Sequence, residues 1–168
     1  QPIDDMIERC SSINQLTTSV VWILRFVDFL RNKSARNCAI SIIETKTARL
    51  KLIAFVQHQV YEDEVKALSQ DKPVKVTSPL RKLSPFLDEN LIRVGGRICR
   101  APLAYDMIHP IILPQYHHLS KLIIEAIHKQ EGHCGPSHVL AVLRREYWIP
   151  RGRAAVKRVL ERCISCKR

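Results

Sequence analysis

Apolar positions along the chain fall into three successive textures. Val20, Ile23, Leu24, Val27 and Leu30 recur at helical spacing, with Thr17, Thr18 and Ser19 upstream as candidate caps. Leu52, Ile53, Val56, Val60, Tyr61, Val65 and Leu68 keep the same period, with Lys51, Glu62, Asp63 and Lys66 among them. They predict one long helix over about 45–70, which Asp71-Lys72-Pro73 ends. Residues 1–72 therefore read as an N-terminal helical region.

The texture changes over 73–116. Prolines stand at 73, 79, 85, 102, 110 and 114, with a Gly95-Gly96 pair between them. Leu91-Ile92-Arg93-Val94 and Ile111-Ile112-Leu113 are short β-type runs bounded by these breakers. A small extension with a two- or three-stranded sheet is expected, and so short a sheet needs helices packed on it.

Over 117–168 the helical period returns three times. Leu119, Leu122, Ile123, Ala126 and Ile127 form one stripe. Val139, Leu140, Leu143 and Tyr147 form a second, entered through Gly135-Pro136-Ser137, where proline suits a first helical turn. Val156, Val159, Leu160, Cys163 and Ile164 form a third, beyond Trp148-Ile149-Pro150. Three helices this short enclose a thin core and ordinarily need a staple. The chain shows no internal repeat and no low-complexity tract.

Composition adds charge to this picture. The 168 residues hold 27 Lys plus Arg against 16 Asp plus Glu, a formal net charge of +11. Residues 136–168 carry nine basic residues against Glu146 and Glu161. Such a cluster attracts polyanions, nucleic acid first among them, although charge alone does not separate DNA contact from a solvated helix face. No apolar run reaches the roughly 18–20 residues of a membrane span, and no signal peptide is evident. A start at Gln1 is what a fragment or processed product would show.

Of six cysteines, Cys10, Cys38, Cys99 and Cys134 are scattered, whereas Cys163 and Cys166 form a C-x-x-C. A reducing compartment fits this usage better than a disulfide framework. A redox pair belongs at the opening of a helix, where the N-terminus lowers a thiol pKa. This pair closes a helix-patterned run instead. His128 and His133 supply a second short-spaced pair, with 29 residues between His133 and Cys163. Zinc prefers four tetrahedral N and S ligands, and a helical hairpin can close two such pairs on one ion. His128 is expected near the end of the first helix, His133 just past a turn at Gly132, and both cysteines on the last turn of the third helix. Four protein ligands leave no place for a catalytic water, so the predicted zinc is structural. His117 and His118 read as caps or surface residues; His58, His109 and His138 as non-ligands; Cys134 as a buried or half-buried thiol.

His128-x4-His133-x-Gly135, Leu143-Arg144-x-x-Tyr147-Trp148-Ile149 and Cys163-x-x-Cys166 together resemble the His-His-Cys-Cys zinc-binding domain of retroelement integrases. Leu83-Ser84-Pro85-Phe86-Leu87-Asp88-Glu89-Asn90-Leu91-Ile92-Arg93-Val94-Gly95-Gly96-Arg97, followed by His109-Pro110-Ile111-Ile112-Leu113-Pro114, is similar to the integrase region of BEL/Pao-type LTR retrotransposon polyproteins. The likeness is strongest over about 78–168. Upstream, Glu64-Val65-x-x-Leu68 is similar to the segment that joins the RNase H and integrase regions.

The resemblance implies a mainly α fold with a small β element: a helix-turn-helix-like three-helix bundle around zinc, behind a short-stranded extension and the N-terminal helices. It also implies multimer assembly, contact with the element's DNA ends, and a catalytic core located after the second cysteine, outside these residues. A nuclear location follows, or a cytoplasmic one within an element particle. Asp88 and Glu125, with 36 residues between them, approach the spacing of a catalytic acid pair, but no α/β pattern surrounds them and coincidence is the expected reading. Arg144, Arg145, Arg151, Arg153, Lys157 and Arg158 are the candidate phosphate contacts, while Tyr147 and Trp148 are expected in a core or interface. Arg151-Gly152-Arg153 has an alternative reading as a solvated loop with capping duties. Two other functions stay open at this level: a domesticated protein-interaction module without DNA binding, and a fragment of an active integrase.

Overall fold

The computed structural model describes residues 2–33, 38–96 and 103–167; Arg97, Cys99, Pro102 and Arg168 of the motifs above lie outside them. The architecture is mostly helical with one small sheet. In chain order its elements are α1 (Pro2–Arg9), α2 (Ile13–Asn32), α3 (Ile42–Val60), α4 (Glu62–Leu68), β1 (Phe86–Asp88), β2 (Leu91–Arg93), α5 (Tyr105–Ile108), β3 (Ile111–Ile112), α6 (His118–Gln130), α7 (Pro136–Leu143), β4 (Tyr147–Trp148) and α8 (Gly152–Leu160). Among the described residues, no helix is long and apolar enough to cross a membrane.

Helix α2 starts earlier than its predicted caps. Ser12 is the extended residue before it, and Ile13, Leu16, Thr17 and Val21 are the side chains it buries. Thr17 and Ser19 lie inside the helix and donate their hydroxyls back to the carbonyls of Ile13 and Gln15, at 2.7 and 3.1 Å. The apolar stripe read from sequence is not the buried face, since Ile23 and Leu30 are exposed. Helix α3 opens with a capping box: the Glu44 N–H donates to Ser41 Oγ at 3.2 Å, and the Ser41 N–H donates to Glu44 Oε2 at 2.8 Å.

The long helix expected over 45–70 is broken at Tyr61, whose φ of −119° and ψ of 40° are not helical. The break redirects the chain between two cores. Leu52, Ile53 and Val56 pack with α1, α2 and the C-terminal helices, whereas Tyr61 and Val65 pack with Leu80, Ile92 and Ile112 under the sheet. A straight helix would have carried Tyr61 and Val65 past that second cluster.

Among the described residues the sheet has four strands in the order β1-β2-β3-β4 rather than two or three. Strands β1 and β2 form a hairpin in register Phe86↔Arg93, Leu87↔Ile92 and Asp88↔Leu91. Its two-residue loop, Glu89-Asn90, has positive φ at both positions (46° and 67°), as the favoured hairpin turn demands. Asp88 thus ends a strand and opens the hairpin turn. Strand β3 pairs antiparallel to β2 through Arg93↔Ile111 and parallel to β4 through Ile111↔Tyr147. Tyr147 therefore belongs to a strand, not to the second helix of the C-terminal trio, which stops at Leu143. The N–H groups of Ile111 and Leu113 donate to Glu146 and Trp148 carbonyls at 2.9 and 2.8 Å, and this ties the sheet to the helices beyond it.

Arg93 is buried at 7% exposure and bridges two carboxylates, Asp88 through Nε and Asp106 through Nη1, each at 2.9 Å. Glu125 lies on α6 and faces Lys121 at 3.7 Å. The two acids flagged by their spacing engage different cations on different elements.

Candidate metal centre

Helices α6, α7 and α8 pack on one another and bury Leu119, Leu122, Ile123, Val139, Leu143, Val156, Val159 and Leu160 in a cluster shared with α1–α3. His128 sits in the last turn of α6 and is 3% exposed. Beyond it the helix closes in a Schellman arrangement: the Gly132 N–H donates to the Lys129 carbonyl at 3.2 Å, and the His133 N–H to the His128 carbonyl at 2.8 Å. Gly132 takes the left-handed conformation (φ 65°) that the motif needs. In such a motif the third residue from the helix end and the second beyond it are brought side by side. Here those residues are His128 and His133, which gives the His-x4-His spacing a backbone cause.

The cysteines arrive from the other side. Helix α8 ends at Leu160, so Cys163 and Cys166 lie in the turns that follow it and not on its last turn. The Cys163 N–H donates to the Leu160 carbonyl at 2.9 Å, and this continues the chain away from the helix axis. Hydrogen bonding from the Cys166 backbone N–H holds the Cys163 thiol below its ordinary pKa. Sequence spacing placed both cysteines together, but helical periodicity was the wrong reason for it.

The four side chains converge, one candidate ligand atom from each, with all four atoms within 4.8 Å of one another. His133 Nδ1 is 3.2 Å from His128 Nε2 and 3.3 Å from Cys163 Sγ. Cys166 Sγ is 3.3 Å from His128 Nε2 and 3.6 Å from His133 Nδ1. A regular tetrahedron at ordinary zinc bond lengths has edges of about 3.3 Å between nitrogens and about 3.6 Å between nitrogen and sulfur. The donor set and the spacing both fit one zinc ion. His128 Nδ1 lies 3.1 Å from the Cys134 carbonyl, which can only accept. The proton therefore sits on Nδ1 and leaves the Nε2 lone pair for the metal, the outer-shell support such a histidine usually has. Nothing in the sequence marks Cys134 for this part, because it plays it through its backbone.

The remaining described histidines are engaged elsewhere. His117 caps α6 by accepting the Leu119 N–H at 3.1 Å, and burial pushes its pKa down. His118 contacts the Cys10 carbonyl at 2.9 Å, and His138 pairs with Glu131 at 2.7 Å. His58 and His109 approach the carbonyls of Asn90 and Val94 at 3.3 and 3.0 Å. Cys134 is half-buried and free.

The basic residues singled out by sequence do not share one environment. Arg144, Arg145, Arg151, Arg153 and Lys157 are exposed. Arg144 and Arg145 lie just beyond the end of α7, and Arg144 stacks 5.2 Å over the Trp148 ring. Arg151 precedes α8 in the left-handed region (φ 51°). Arg158 is half-buried, donates to the Gln115 carbonyl at 2.9 Å and lies 4.7 Å over the Tyr116 ring. Tyr147 is buried.

Residues 116–168 match the family model of the integrase zinc binding domain. Searches of curated proteins and of solved structures returned no match. The match begins two residues before α6 and contains all four converging side chains. His128, His133, Cys163 and Cys166 are thus positioned to bind one zinc ion within the segment that matches this domain.

Proposed function

We propose that the chain is a non-catalytic, integrase-type zinc module of BEL/Pao-like origin that supports multimer assembly and binds DNA with little sequence preference. The convergence of two imidazoles and two thiol groups at the mouth of α6, α7 and α8 carries this reading. Zinc bound there supplies a cross-link and no open coordination position, so it staples α6 to the segment after α8 as a three-helix, helix-turn-helix-like unit. The protein's residues do the rest. The Gly132 turn aims His133, the Cys134 carbonyl holds the His128 tautomer, and the core of α6–α8 fixes the approach of the cysteines.

DNA contact is proposed through the solvent side of α8 and the segment that leads into it. Arg153 and Lys157 are one helical turn apart on α8, and Arg144, Arg145 and Arg151 precede them in the chain. Phosphate neutralisation by such side chains makes binding tolerant of sequence and steeply dependent on salt. Arg158 is assigned a lesser part, because its guanidinium is already occupied by Gln115 and Tyr116. The expected setting is nuclear, or cytoplasmic within an element particle.

Salt-titrated binding of a short duplex tests this reading. Replacing Arg145, Arg153 and Lys157 by Gln should weaken binding for all sequences alike and lower the salt slope by about two to three. An unchanged slope, with zinc content preserved, excludes DNA contact through this face. The competing reading, an interaction module without DNA binding, draws support from the apolar surface of α2. It predicts no measurable affinity for the duplex in the unaltered chain.

A further inference from the structure

The α2–α3 hairpin outruns the core beneath it. Helix α2 buries Ile13, Leu16, Thr17 and Val21, all in its first half, and α3 buries nothing before Ala48. The far half of the hairpin nevertheless stays apolar on its outside. Trp22, Ile23, Phe26, Phe29 and Leu30 follow the spacing i, i+1, i+4, i+7, i+8 and are 55, 48, 61, 44 and 61% exposed. Val27 extends the same surface, and Ile42 and Ile43 stand exposed where α3 begins. Three of these are aromatic, in a chain that is only 6% aromatic.

We infer that this face of α2 is the surface through which two copies of the chain associate, their hairpins packing as a four-helix arrangement. Three observations select a second copy as the occupant. First, these exposed fractions amount to roughly 600 Å² of α2 side-chain surface, so a symmetric pair buries at most about 1,200 Å², which brings the roughly 1,000 Å² expected of a specific interface within reach. Second, the stripe has the period by which one helix beds against an identical one across a two-fold axis. Third, the charge is right. Residues 22–30 hold one arginine and one aspartate in a chain of net +11, so pairing there brings no concentration of like charge together. Arg25 is turned toward α3, where it forms an ion pair with Glu44 at 2.8 Å and donates to the Cys38 carbonyl at 2.9 Å.

The inference rests on the assembly part of the proposed function and names its surface. Sedimentation of the zinc-loaded full chain tests it, comparing the unaltered protein with a Phe26→Glu/Leu30→Glu variant and with a Lys72→Gln/Lys82→Gln control at exposed positions away from this face. Both apolar positions are solvent-exposed, so the variant should keep its helix content and its zinc, which circular dichroism and metal analysis check. The expected result is a dimer for the unaltered chain and the control, and at least a hundredfold weaker association for the apolar-face variant. A Trp22→Ala variant should show the same direction. Should the Phe26/Leu30 variant dimerise as well as the unaltered chain, this surface is wrong while assembly itself stands. A monomeric unaltered chain overturns both.

Discussion

Gln57 and Ile92 are joined by two hydrogen bonds: Gln57 Nε2 donates to the Ile92 carbonyl at 2.9 Å, and the Ile92 N–H donates to Gln57 Oε1 at 2.7 Å. The same Nε2 donates to the Ile112 carbonyl at 2.6 Å, and the residue is fully buried. A side-chain amide on α3 thus supplies the ladder that two short strands cannot complete by themselves. Gln57→Leu keeps the volume but leaves one N–H and two carbonyls without partners in an apolar site. The expected loss is about 2–4 kcal/mol in urea unfolding, large for one surface-remote position. A loss under 1 kcal/mol would show that α3 does not hold the sheet.

Tyr61 and Tyr147 report on the two cores through alkaline pH. Burial pushes both phenols up to about 12, with the charges of Glu64 and Glu146 adding to it. Each hydroxyl stays protonated in the folded chain while the unfolded chain ionises near its ordinary value. Stability is therefore fully present below pH 10 and is lost as pH rises from about 10 through 12. Absorbance of tyrosinate should show these two rings ionising together with unfolding. A Tyr61→Phe/Tyr147→Phe variant should lose stability less steeply over the same window.

Arg151 separates a backbone cost from a functional gain. Its left-handed conformation before α8 strains a non-glycine residue by about 1 kcal/mol. Arg151→Gly should leave the fold as stable or raise the unfolding free energy by about 0.5–1 kcal/mol, while lowering affinity for a DNA duplex. Destabilisation would show that its side chain has a structural anchor.

His133 likewise lies in the left-handed region, at φ 62°. Asparagine tolerates that conformation, so His133→Asn removes the imidazole and keeps the turn. Zinc affinity should drop by more than about a hundredfold, since even outer-shell losses reach that size, while the α6 end stays ordered. Isothermal titration with a competing chelator measures it.

Legibility in the sequence followed the range of the cause. The four ligands were legible because short-range spacing reports local turns: His-x4-His is a Schellman closure and Cys-x2-Cys a tight loop. Pro136 marks the start of α7, whereas Thr17, Thr18 and Ser19 lie inside α2 and do not cap it; Ser41-x-x-Glu44 marks the start of α3, a signal that the apolar pattern obscures. The break at Tyr61 was not legible, since Val60, Tyr61 and Val65 keep helical period and only the position of Leu80 and Ile92 explains why the chain bends. Strand β4 was hidden for the same reason: Tyr147 continues the apolar stripe of α7, and its pairing with Ile111 is 36 residues away. The outer stripe of α2 misled in the opposite sense. A period that ordinarily marks a core face marks an uncovered surface here.

Bound zinc per chain, measured by mass spectrometry on the native protein and followed through chelation with helix content in parallel, tests the central claim most directly. One zinc per chain is predicted, with loss of order in α6–α8 as the chelator removes it. A chain that takes up no zinc and keeps its full helix content would contradict it.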